Sequence, residues 1–297
     1  MHFLAVYDIL NGMEASILQF LEKLRTPAAT FLAGIFSLFG ETLVLVALIS
    51  VVYWLVDKRL GEQLVFVSFS SMSVNAFLKG TVSRLRPYAK GVVSRVEIDT
   101  PFLSTMNLEE AMSFPSGHAQ MSAGLFFTSA FRIKKKWAWA LAPVLTLLVM
   151  ASRLYFGVHY PSDVLAGAAF GIAFACFWQM VYQKAYAKRF VFAGFFAALS
   201  LALLAIAPNK SLSELSGCMC AAAIAAPIEQ KFVGFQIRKG ALRKLFRALV
   251  GFACVGVVFA LSAALPWSFL WLKWIKYFLL VLTAALLVPF LFVKLKI

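Results

Sequence analysis

Apolar runs close to the roughly 20 residues that cross a bilayer recur along this chain, and short clusters of lysine and arginine separate them. The first segment, Met1 to Arg25, differs: Asp8, Glu14 and Glu22 interrupt it, while Ile17, Leu18, Leu21 and Leu24 recur at helical spacing. That pattern predicts an amphipathic helix lying on a membrane surface. It lacks the unbroken apolar stretch of a cleavable signal peptide. Spans are then predicted near Glu41–Val56, Leu60–Lys79, His118–Phe131, Trp137–Tyr155, Asp163–Tyr182 and Phe190–Ala207. A weaker one lies near Cys218–Ile228, and two more near Leu249–Leu265 and Trp274–Val293. Entry into the first is open, because Thr30 to Gly40 is also apolar; Thr30–Val56 is long for one span and short for two, with Gly34 and Gly40 as places to bend. The fold class is therefore all-α, a polytopic membrane helical bundle.

Composition agrees with the pattern. Hydrophobic residues make up 62% and charged residues 14%, against about 45–50% and 25% in soluble domains. The net charge of +15 would suggest nucleic acid in a soluble protein. Here the cations sit in loops: Lys58/Arg59, Arg132 to Lys136, Lys184 to Arg189, Lys231 to Arg247, and Lys294/Lys296. These loops hold more than half of the 28 Lys and Arg residues and alternate with the others if there are nine spans. The positive-inside rule makes them cytoplasmic, and no nucleic acid partner is expected. The opposite face then carries Gly80–Gly117, the longest polar stretch, and Phe156–Ser162. The four cysteines, Cys176, Cys218, Cys220 and Cys254, lack zinc or C-x-x-C spacing and read as small buried hydrophobes.

Three clusters of ionisable residues fall where spans meet that second face, and such residues are functional candidates by default. Lys79, Arg86 and Pro87 follow one span; alone they read equally well as snorkelling side chains, and Arg84 between them reads as an ordinary surface cation. Pro115-Ser116-Gly117-His118 precedes the next span. Ser116 suits an N-cap, and the amides of Gly117 and His118 at a helix start suit an anion. Ser152, Arg153, His159 and Asp163 form the third cluster. Asp163, four residues from His159, can reach back to one ring nitrogen and leave the other free to attack. The chain has three histidines; apart from the terminal His2, both lie in these clusters.

The segments K-x6-R-P, P-S-G-H and S-R-x5-H-x3-D together resemble the signature of the type 2 phosphatidic acid phosphatase family, each position filled and in order. The resemblance covers roughly Glu41 to Ala207. It implies a six-span phosphatase core over residues 41–207, preceded by residues 1–40 and followed by a transmembrane region of about three spans over 208–297. It implies that His159 attacks phosphorus to form a phosphohistidine, that Asp163 orients it, and that His118 protonates the leaving oxygen. Lys79, Arg86 and Arg153, with Ser116 and the Gly117 amide, would hold the phosphate oxygens. No metal and no cofactor is implied, because three fixed cations and a helix terminus supply the charge stabilisation that phosphoryl transfer needs. Glu97, Asp99, Glu109 and Glu110 lack a metal-ligand pattern and read as a solvated lid. The implied partner is a lipid phosphate or diphosphate within the bilayer: undecaprenyl diphosphate, phosphatidylglycerol phosphate or phosphatidic acid in type. The implied location is a bacterial plasma membrane, with the site on its non-cytoplasmic face. A lipid phosphotransferase with the same site, or a lipid transporter or flippase, are the rival expectations; paired Gly/Pro-broken spans in matching halves, which would favour transport, do not occur.

Overall fold

The computed structural model describes residues 2–96, 112–263 and 269–297. The described residues are mainly helical, and the one sheet-like feature among them is an isolated antiparallel bridge between Leu85 and Met112. The helices are α1 (His2–Lys23), α2 (Pro27–Ser37), α3 (Thr42–Val51), α4 (Lys58–Val82), α5 (Gly117–Ile133), α6 (Lys136–Tyr155), α7 (Pro161–Lys184), α8 (Arg189–Ile206), α9 (Lys210–Ile228), α10 (Ala241–Ala263), α11 (Leu270–Leu282) and α12 (Val288–Lys294). The four acidic residues between 97 and 110 expected to form a lid lie outside the described residues.

Among the described residues six helical segments are long and apolar enough to cross a membrane: Lys136–Tyr155, Pro161–Lys184, Tyr186–Ile206, Lys210–Val233, Ala241–Ser262 and Leu270–Lys294. The weak span expected near Cys218 falls inside the fourth of these. A seventh qualifies only as a broken pair, Pro27–Gly40 with Thr42–Val56. Two segments expected as spans form helices that fall short of that measure. Helix α5 has 17 residues. Helix α4 has 25 but is polar, and its Gln63, Ser68, Ser70, Ser71, Ser73 and Asn75 are buried. Several of those groups find protein partners: Trp178 Nε1 donates to Ser70 Oγ at 3.0 Å and Gln63 Nε2 to Gln179 Oε1 at 3.2 Å. A polar face satisfied inside the protein is stable where the same face against lipid would not be.

The open entry to the first span resolves into a helix, a break and a second helix. Thr26 caps α2, its side chain accepting from the Ala29 amide at 3.2 Å, and Pro27 takes the first helical turn, where its missing N–H costs nothing. A 3₁₀ turn, Leu38–Gly40, follows, and Glu41 is extended at φ −75°, ψ 132° before α3 begins. One lone carboxylate thus sits at a helix break within an apolar sequence.

The chain divides into two compact units: Met1–Leu45 with Leu78–Ala173, and Val46–Phe77 with Phe174–Ile297. In the first, α5 and α6 form a hairpin whose turn is Lys134 in the left-handed region (φ 57°) and Lys135. Ala119 and Ala123 of α5, Met150 of α6, and Val164 and Ala168 of α7 form a small-residue core. Leu18 of α1 packs with Val93 and Tyr160. In the second unit Phe66, Trp178, Val181, Ala193 and Met219 form the core, and ion pairs join Lys58 to Glu229 at 2.6 Å and Arg189 to Glu62 at 2.9 Å. Of the cysteines read as buried hydrophobes, Cys218 and Cys220 are buried, while Cys254 is half-buried and Cys176 exposed. An exposed small apolar residue on an apolar helix loses nothing where the surroundings are lipid.

Candidate active site

Every candidate residue of the three clusters lies in the first compact unit. Backbone hydrogen bonds stitch the clusters together. The Ser113 amide donates to the Arg84 carbonyl at 2.7 Å, which ties the segment after α4 to the segment before α5. The Ser116 amide donates to the Asp163 carbonyl at 3.0 Å, which ties the start of α5 to the start of α7. Glycine permits this approach. A Cβ at Gly167 would lie 2.4 Å from the Ser116 carbonyl oxygen, and one at Gly171 2.2 Å from that of Gln120. Glycines four apart on one face let two membrane helices pack backbone against backbone.

Ser116 is the N-cap of α5, as its sequence position suggested: φ −70°, ψ 113°, with its hydroxyl accepting from the Ala119 amide at 3.5 Å. Gly117 and His118 open the helix, where unpaired amides and the helix dipole favour an anion. At the end of α6, Gly157 adopts φ +66° and its amide donates to the Leu154 carbonyl at 2.9 Å. That left-handed residue ends the helix and turns the chain so that His159 points back into the protein, 2% exposed. Arg86 and Arg153 are buried with it, at 4% and 2% exposure. Lys79 ends α4, half-buried.

The geometry around Asp163 differs from a simple histidine–carboxylate bond. His159 Nδ1 is 3.8 Å from Asp163 Oδ2, an ion-pair distance longer than a hydrogen bond. Asp163 Oδ2 instead accepts from the Tyr160 amide at 2.8 Å, and Oδ1 accepts from Arg84 Nη1 at 2.8 Å. The carboxylate is held from both sides, and its Oδ2 edge faces the imidazole. Arg84, read from sequence as an ordinary surface cation, is corrected by these contacts. It also pairs with Glu14 of α1, donates to Ser162 Oγ at 2.7 Å, and lies over the Tyr160 ring at 3.9 Å. Glu14 in turn accepts from the Ser162 amide at 2.7 Å.

Two further residues enter from the broken first span. Arg153 Nη1 donates to Ser37 Oγ at 2.6 Å, and His118 Nε2 lies 2.9 Å from Glu41 Oε1. Neither Ser37 nor Glu41 belongs to the three sequence clusters. Glu41 carried a legible signal, a single acid inside an apolar run; Ser37 carried none.

The electrostatics follow from this burial. The His159 imidazole is held well below the usual histidine range, first by burial and then by the charges of Arg86, Arg153, Lys79 and His118. A neutral imidazole among cations keeps its lone pair, as a nucleophile must, and the cations around it favour an anion. Among the described residues no group of three His, Cys, Asp or Glu side chains is placed to hold a metal ion.

Comparison with known proteins matches the family model "PAP2 superfamily" to residues 62–187 and the model "PAP2 superfamily phosphatase, transmembrane extension" to residues 213–297. The chain is 30% identical to the bacitracin transport permease protein BcrC of Bacillus licheniformis over 162 residues, 52% of this chain and 70% of that one. It is 32% identical to the lipid A 4'-phosphatase of Bacteroides thetaiotaomicron over 108 residues, 35% of this chain and 45% of that protein. Among solved structures, a transmembrane PAP2 type phosphatidylglycerolphosphate phosphatase from Bacillus subtilis aligns at a TM-score of 0.49 with 22% identity, covering 60% of this chain and 88% of that one.

Proposed function

The chain belongs to the PAP2 superfamily, and on that footing we propose that it is an integral membrane lipid phosphatase that works through a phosphohistidine on His159. The observation that carries the reading is the buried, neutral His159 in a field of four cationic or protonatable groups. Such a field is costly unless an anion fills it, and a phosphate group is the anion whose transfer chemistry uses every residue present.

In the proposed reaction Lys79, Arg86 and Arg153 bind the phosphate oxygens, with Ser116 and the Gly117 amide at the start of α5. Charge spreads over those oxygens in the transition state, so fixed cations stabilise it more than the ground state. His159 attacks phosphorus through Nε2, and Nδ1 turns to Asp163. A contact of 3.8 Å can tighten as the ring gains charge, since catalytic hydrogen bonds are often long without substrate. The P–O bond to the lipid breaks, and the proton on His118 passes to the leaving oxygen. His118 then takes a proton from water, which attacks the phosphohistidine and releases phosphate. The cations supply the charge stabilisation that metal ions give other phosphatases, so the reaction is metal-independent.

The substrate is a lipid phosphate or diphosphate of the undecaprenyl diphosphate, phosphatidylglycerol phosphate or phosphatidic acid kind, consistent with the lipid phosphate named for one relative. The site faces the non-cytoplasmic side of a bacterial plasma membrane. Helix α5 runs about 25 Å from His118 to the basic turn Arg132–Lys136, which the positive-inside rule sets in the cytoplasm. Residues 41–207 form the catalytic core and 208–297 an additional transmembrane region. The word transport in the name of the BcrC relative points to a second reading, a lipid transporter; the same residues would then bind phosphate without cleaving it.

Detergent-purified protein with EDTA is expected to release phosphate from a panel of these lipids. The pH profile of kcat/KM should be bell-shaped. His159 loses its neutral form only below the usual histidine range, so the acid limb of the profile falls below pH 6.5. No release from any lipid would remove the phosphatase reading in favour of transport. An acid limb above pH 6.5 would remove the buried neutral nucleophile.

A further inference from the structure

Resting on the proposed roles of His159 and His118, we infer that Glu41, delivered by the break between α2 and α3, is the positioning residue of the general acid His118. Glu41 lies outside the segment matched by the phosphatase family model, residues 62–187. Its Oε1 is 2.9 Å from His118 Nε2, the one side-chain hydrogen bond of the imidazole among the described residues. With Nε2 donating to a carboxylate, the second nitrogen, Nδ1, carries the proton that can move. During phosphoryl transfer the P–O bond breaks, the Nδ1 proton passes to the lipid oxygen to give the alcohol, and the ring becomes neutral with Nε2–H still on Glu41. In the second step Nδ1 takes a proton from the attacking water, and the carboxylate compensates the imidazolium that forms. Glu41 gains or loses no proton; it fixes the tautomer and ring orientation, as the buried aspartate does in a catalytic triad.

The local backbone is built for this contact. Gly40 ends the 3₁₀ turn, and a Cβ there would lie 2.5 Å from His118 Cδ2. Only glycine lets the break press against the imidazole, and the extended Glu41 then turns its side chain to the ring edge. Ser37, one turn earlier, meets Arg153 at 2.6 Å, so the same break touches both the proposed acid and a proposed phosphate ligand.

A general acid matters most when the leaving oxygen is basic. The test compares kcat/KM for dioctanoyl phosphatidic acid, an alkyl phosphate, and 4-nitrophenyl phosphate, whose leaving group departs without a proton. Glu41→Gln keeps size and a hydrogen-bond acceptor but removes charge. It should lower kcat/KM on the alkyl phosphate about 30- to 100-fold, inside the range of general acid–base effects, and on the aryl phosphate by less than about 3-fold. Gly40→Ala, which displaces the ring instead, should show the same selectivity, and His118→Ala the largest. Equal loss on both substrates in Glu41→Gln, or no loss, with His118→Ala still selective, would overturn the role of Glu41 and leave that of His118 standing. A His118→Ala variant without selectivity would overturn both.

Discussion

Replacing His159 with alanine is expected to lower kcat for lipid phosphate hydrolysis by at least about 10⁴-fold, the scale seen when a nucleophile is removed from a site whose other parts remain. The remaining cations still bind and polarise phosphate, so KM should change little and a small residual rate should survive. Folding should be retained. The ring makes no hydrogen bond at Nδ1 among the described residues, and the Tyr160 and Arg84 contacts that hold Asp163 do not pass through it. Asparagine at position 159 should be as inactive as alanine, since it can donate and accept but cannot attack. Phosphate release by His159→Ala near the wild-type rate would exclude this residue as the nucleophile.

Arg153→Met should cost about 10²- to 10³-fold in kcat, the usual loss when one fixed donor to developing charge is removed. Its thermal midpoint should be no lower than that of the wild type. The guanidinium is buried at 2% exposure, and replacing a desolvated charge with an apolar side chain of similar volume is often neutral or stabilising. Against this stands the loss of its hydrogen bonds, the bond to Ser37 at 2.6 Å among them, each a net of about 1 kcal/mol. Arg153→Lys keeps the charge but not the planar fork and should recover only part of the rate. A fall in midpoint that parallels the fall in activity would make Arg153 a structural residue.

The helices were legible because lipid imposes length and apolarity on a span, and basic loops punctuate them. Helix α4 shows the limit of that reading. It was found from the sequence, but its buried serines, Gln63 and Asn75 make it too polar to qualify by composition, and only the partners Trp178 and Gln179 explain it. The site clusters were legible because each holds its residues close in sequence, at a helix end. Arg84 was misjudged because its partners, Glu14 and Asp163, are 70 and 79 residues away. Glu41 and Ser37 went unassigned for a similar reason. Their partners are 77 and 116 residues distant, and no local pattern announces a helix break that folds inward rather than passing straight through.

The phosphohistidine is the central step of the proposed reaction, and the stereochemical course at phosphorus tests it most directly. A lipid thiophosphate made chiral with oxygen isotopes would be hydrolysed in labelled water and the configuration of the released thiophosphate determined. Attack by His159 followed by attack by water inverts phosphorus twice, so the account predicts overall retention. Inversion would mean that water attacks the substrate directly, and would contradict a covalent intermediate on His159.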